Sequence, residues 1–193
     1  AITSSFLKEV NTAYASLLAA DSLMAADSLL QKNDLVNIAK PNISFSNGSS
    51  NTALQKISGL FQHLDINQVF WLDDKGNENI NWTAQNENAP HGNFIHRKYV
   101  SQILNNHAYQ LTNHSERKYF IDQVISWTSG AFTSLVSVSS KVKGSTAKVA
   151  AISFNMKSLD SVILPAGYVF AVTDNNGKVL YHSKKSKNLN ENV

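Results

Sequence analysis

A chain of 193 residues carries 17 Lys and Arg against 14 Asp and Glu, a formal charge of +3, and no cysteine. Its 42% apolar and 16% charged residues exclude a disordered chain, and the missing thiols exclude a disulfide framework, a thiolate zinc site and a cysteine nucleophile. A surplus of three charges is too weak a field to mark a nucleic-acid binder, and no run reaches the ~18 apolar residues of a membrane span. The chain starts at Ala1 rather than Met, which implies removed upstream residues and leaves flanking membrane segments open.

From Ser4 or Ser5, apolar residues at Phe6, Leu7, Val10, Tyr14, Leu17 and Leu18 fall at helical spacing. A hexapeptide then repeats, Ala19-Ala20-Asp21-Ser22-Leu23-Met24 followed by Ala25-Ala26-Asp27-Ser28-Leu29-Leu30. The pattern predicts a helix over 6–30, about 37 Å long at 1.5 Å per residue. Its broad apolar stripe serves either core packing alone or a dimer seam as well. Residues 41–50 break the pattern, and Leu54, Ile57, Leu60, Phe61 and Leu64 suggest a second, shorter helix.

The period then changes to two. Residues 68–72 and 79–83, joined by Asp73-Asp74-Lys75-Gly76-Asn77, read as a β-hairpin. A polar Asn-rich loop over 84–94 leads into a short helix over 95–106 with Tyr99, Val100, Ile103 and Leu104 on its apolar side. Three strands follow, at 120–127, 131–139 and 149–156, and then a brief helix or turn at 158–164. A last hairpin pairs 168–172 with 178–182, ahead of a polar tail expected to fray. The fold class is α+β, with a five-stranded antiparallel sheet and helices mainly on one face. The run Val169-Phe170-Ala171-Val172-Thr173-Asp174-Asn175-Asn176-Gly177 repeats the logic of Val69-Phe70-Trp71-Leu72-Asp73-Asp74-Lys75-Gly76, which suggests an internal duplication whose second copy is cut short.

Four segments in this order resemble the double Cache family of extracytoplasmic sensor domains: Phe70-Trp71-Leu72-Asp73-Asp74-Lys75-Gly76, Arg97-Lys98-Tyr99, Ile152-Ser153-Phe154-Asn155-Met156-Lys157-Ser158-Leu159, and 167–183 with its strand and Asp-x-x-Gly turn. With the long first helix, the resemblance spans nearly the whole chain. It implies a long helix (1–40), a membrane-distal PAS-like module that holds the ligand (41–157), and a linker with the first hairpin of a proximal module (158–193). It further implies the periplasmic or extracellular part of a bacterial membrane receptor, a sensor histidine kinase first, with a chemoreceptor or nucleotide cyclase as alternatives.

Arg97 is the first candidate for the ligand site. A guanidinium is permanently charged and offers a planar fork of donors to carboxylate or phosphate; the bland reading pairs it with a surface acid. Tyr99 adds a hydroxyl or an aromatic wall, and Trp82 and Trp127 are the aromatic candidates, each also suited to plain core packing. Ser126, Asp122, His96 and Tyr109 complete the set. In family members that bind amino acids, an acidic residue late in the distal sheet meets the ammonium group; Ser153 occupies that position here, which favours a carboxylate or another anionic or neutral metabolite. The chain has no nucleophile elbow, phosphate loop or H-E-x-x-H motif, and its histidines lack metal-ligand spacing. The expectation is a non-enzymatic small-molecule sensor without metal or cofactor and without a nucleic-acid partner, dimeric through the first helix and membrane-anchored. A secreted binding module without signalling is the rival from another class, and a hydrolase is a third.

Overall fold

The computed structural model describes residues 2–40, 43–46, 54, 57, 59–111, 114–127, 129–160, 162–174, 176–184 and 187. Helix α1 (Ile2–Ala26) turns Val10, Ala13, Tyr14, Leu17, Ala20 and Met24 into the core, one face at helical spacing. The stripe that suggested a seam therefore faces this chain's own sheet. The helix stops four residues short of the expected end, and the repeated hexapeptide shows why. Asp27, in the second copy, turns its carboxylate onto the Leu29 N–H at 2.8 Å, a local bond that competes with helix. Asp21, in the first copy, is 4% exposed and accepts from the Trp71 indole (2.9 Å), the Ser140 hydroxyl (2.7 Å) and the Lys141 N–H (2.9 Å). Tertiary partners keep one Asp-Ser step helical, and their absence lets the other end the helix.

Residues 1–40 are not all helix. Strand β1 (Leu35–Val36) pairs antiparallel with β2 (Ser44–Phe45), and Leu35 pairs in parallel with Trp82 of the hairpin. Two-residue strands carry no readable period. Leu54, Ile57 and Phe61 are buried in the main core; 55, 56 and 58 of the expected second helix lie outside the described residues.

The five expected strands are present as β3 (Asp65–Leu72), β4 (Glu78–Thr83), β6 (His114–Ile125), β7 (Phe132–Ser139) and β8 (Val149–Asn155), with β5 (Tyr109–Leu111) at the far edge. The sheet runs β2-β1-β4-β3-β8-β7-β6-β5, antiparallel throughout its central five strands. Val69, Trp71, Ile80, Trp82, Val136, Ile152 and Phe154 pack in the main core with α1. Phe70, Leu72, Phe120, Leu135 and Ala151 face the other way, onto Tyr99, Val100 and Ile103 of α2 (Lys98–Leu104). Helices thus cover both faces, not mainly one. The continuous apolar run Val69-Phe70-Trp71-Leu72 carries that signal, since a strand buried on both sides needs no alternation.

After α3 (Lys157–Asp160), β9 (Ala171–Thr173) and β10 (Val179–His182) form a separate two-stranded sheet. Glu9 of α1 accepts the Lys157 and Ser158 N–H groups at 3.0 and 2.9 Å, capping α3 from a distant helix. Tyr181 meets Phe6 edge-on at 5.8 Å, which fixes the hairpin beside the start of α1. Both strands of this hairpin are shorter than expected, and Tyr168 and Val169 stand exposed ahead of it.

Candidate functional site

The loop that carries Arg97 is held by an unusually close backbone crossing. Gly76 adopts φ +77°, and a Cβ there would lie 2.5 Å from the Ile95 nitrogen and 2.6 Å from its Cα. Only a residue without a side chain lets the loop cross at that depth. The Phe94 N–H donates to the Gly76 carbonyl at 2.8 Å, and Asn93 Nδ2 donates to the Lys75 carbonyl (3.0 Å) and to Asn77 Oδ1 (2.7 Å). Beneath the loop, Glu78 accepts from Asn81 Nδ2 and from the Gly92 N–H, and burial pushes its carboxyl above the usual range. Asp34 accepts the Asn81 N–H at 2.8 Å and meets His91 Nε2 at 3.0 Å. These bonds fix where Phe94 and Arg97 arrive over the sheet.

Arg97 is the N-cap residue of α2, with extended backbone (φ −78°, ψ 136°) and no side-chain capping bond. Its carbonyl starts the helix by accepting from Val100 and Ser101, which leaves the guanidinium free to point elsewhere. It reaches a hollow bounded by Gln68, Phe70, Phe94, Tyr99, Val124 to Trp127, Thr133, Leu135 and Ser153. Among the described residues Arg97 forms no ion pair. Tyr99 is buried with its ring edge-on to Phe70 at 6.1 Å; burial pushes its phenol upward, opposed in part by the nearby Arg97 charge. Ser153 is buried in the floor, its hydroxyl 3.1 Å from that of Thr133, which also bonds the Phe154 carbonyl. The hollow holds about 30 Å³, roughly the volume of one water.

Of the eight residues singled out from the sequence, Arg97, Tyr99, Ser126 and Trp127 line this hollow. Trp127 is 71% exposed and stands at the rim rather than in a wall. Trp82 does not reach it. Trp82 is 0% exposed on the opposite face, packed against Trp71 at 4.7 Å, because its register with Val69 puts it on the α1 side. His96 is exposed beside Arg97 and outside the lining. Asp122 is buried and pairs with Leu135 in register, yet it too lies outside the lining. Burial raises its carboxyl, countered by the charge of Lys178 and by the Gln123 N–H. Tyr109 sits in β5, and its side chain lies outside the described residues. Phe70, Phe94 and Gln68 went unremarked as site residues; for Phe70 the signal was the two-sided burial of β3.

No protein-family model matches the chain, and no curated protein matches it in sequence. Solved structures match it in fold. The sensor domain of the V. cholerae histidine kinase DctB superposes with a TM-score of 0.54 at 15% identity, over 97% of this chain and 64% of that one. The ligand-binding domain of the Pseudomonas aeruginosa amino-acid chemoreceptor PctB, solved with L-Gln, gives a TM-score of 0.50 at 11% identity, over 95% of this chain and 71% of that one. The chain therefore has the PAS-like, Cache-type fold of extracytoplasmic sensor domains. It spans less than two thirds of the DctB domain.

Proposed function

We propose that this chain is the extracytoplasmic small-molecule-sensing region of a transmembrane receptor, a sensor histidine kinase before a chemoreceptor, and that it is not itself an enzyme. The observation that carries the reading is the Arg97 guanidinium, without an ion pair among the described residues, at a hollow walled by Phe70, Phe94, Tyr99 and the Ser153 hydroxyl. A permanently charged fork without an acid partner suits a ligand carboxylate. Among the described residues no carboxylate stands in the lining to meet an ammonium group, so the favoured ligand is an anionic or neutral metabolite rather than an amino acid. The fold shared with the DctB sensor domain supports the kinase reading; the fold shared with PctB supports the alternative. Among the described residues no helix is long and apolar enough to cross a membrane.

A water-sized hollow must widen to admit a metabolite, so sensing is a shift between a narrow and a wide arrangement. The ligand drives it only through its difference in affinity for the two. A contact path leads away from the site. The Tyr99 carbonyl accepts from buried Ser137 of β7 at 2.9 Å, and just past the end of that strand Ser140 donates to Asp21 of α1. A small displacement of α2 thereby reaches the long helix.

A thermal-shift screen of organic acids, amines and nucleobases, repeated on Arg97→Ala, tests the reading. Stabilisation by carboxylates that disappears in the variant is expected. Stabilisation that survives the substitution unchanged removes Arg97 from the site.

A further inference from the structure

A second hollow of about 360 Å³ lies among the ends of β7 and β8, α3 and the β9–β10 hairpin. Its volume falls within the ~300–1,000 Å³ typical of small-molecule pockets, where the Arg97 hollow does not. Phe132, Phe170 and Tyr181 give it an aromatic wall. Its polar wall carries the Asp65 carboxylate beside the amides of Gln123 and Asn155, three Ser and Thr hydroxyls and the His182 ring. Among the described residues no Lys or Arg lines it. Gln123 is 6% exposed, and its Oε1 accepts no hydrogen bond. A buried carbonyl left unpaired gains more from a donor than one already satisfied, and the broad terminal torsion of glutamine lets it turn toward the hollow. Asp65 meets Lys157 at 3.4 Å, but both side chains are well exposed, at 40% and 71%. Such a pair is weak and yields readily to a competing cation.

We propose that this hollow is a second binding site, for a small organic amine. The ammonium group sits between Asp65 and Gln123, and a short aromatic or aliphatic body lies against Phe132 and Phe170. The site shares Thr133 with the lining of the Arg97 hollow and is opposite to it in charge preference.

The probe is 2-phenylethylamine, titrated into the ¹⁵N-labelled chain, with 2-phenylethanol and 3-phenylpropionate as neutral and anionic counterparts. Saturable shifts at the amides of Asn155, Phe170 and His182 are expected with the amine alone. Asp65→Asn weakens binding about tenfold or more, and Arg97→Ala changes it by less than about twofold. Absence of saturation up to about 10 mM overturns the proposal. So does an equal response to the alcohol, or weakening by Arg97→Ala and not by Asp65→Asn. Leu159→Trp, which fills the hollow from α3, provides a second reading should Asp65→Asn perturb the fold; amine binding undiminished in that variant also overturns the proposal.

Discussion

Gly76→Ala isolates the backbone crossing that positions Arg97, and Gly144→Ala is its internal control. The two glycines share nearly the same left-handed backbone, φ +77° and φ +79°, but a Cβ on Gly144 meets nothing within 4 Å. Each substitution costs the ~1–2 kcal/mol of a left-handed residue with a side chain. Gly76→Ala adds a methyl 2.5 Å from the Ile95 nitrogen, against backbone that cannot step aside as a side chain would. Overpacking of that kind adds about 1–3 kcal/mol, so Gly76→Ala is expected to cost roughly 2–5 kcal/mol in all. Urea unfolding of the three proteins, compared at equal m-values, reads the difference directly. Gly76→Ala should also weaken any ligand lost in Arg97→Ala, whereas Gly144→Ala leaves binding intact. Equal destabilisation by the two substitutions, within about 0.5 kcal/mol, refutes the crossing as the device that sets the loop.

Asp21→Ala strands the buried Trp71 indole N–H and the Lys141 N–H and should cost about 2–4 kcal/mol by chemical denaturation; a double-mutant cycle with Trp71→Phe should recover part of it as coupling. Burial raises the Glu78 carboxyl above its ordinary 4.5. The native state then holds the proton more tightly than the unfolded chain, and this group's contribution to stability falls as pH rises from 4.5 through the raised value. The stability of the wild type relative to Glu78→Gln should therefore decline over that interval; a flat or rising difference contradicts it. Trp127→Ala, at a largely exposed rim position, should change stability by less than about 0.5 kcal/mol while weakening ligand binding in calorimetry.

Much of this architecture is legible in the residues. The apolar runs between turn residues place all five central strands, and Tyr99, Val100 and Ile103 mark the buried side of α2. Arg97 and Tyr99 line one hollow together. What fails is the choice of face. Alternation groups Trp71 with Trp82, but only the path of the 84–97 loop decides which side of the sheet carries the hollow, and that path depends on Gly76 and the Asn93 bonds, which are tertiary. The two copies of Ala-Ala-Asp-Ser-Leu make the same point, since identical local sequence continues the helix at Asp21 and ends it at Asp27. The two-residue strands β1 and β2 follow from pairing with β4, not from any pattern of their own.

The claim that ligand enters the hollow beneath α2 is tested most directly by the indole N–H resonances of the three tryptophans during titration with a carboxylate from the screen. Trp127, at the rim, should shift in step with the Arg97 Nε–H, while Trp82, sealed on the opposite face, stays in place. A titration that moves Trp82 and leaves Trp127 and Arg97 unchanged places the ligand elsewhere and contradicts the account.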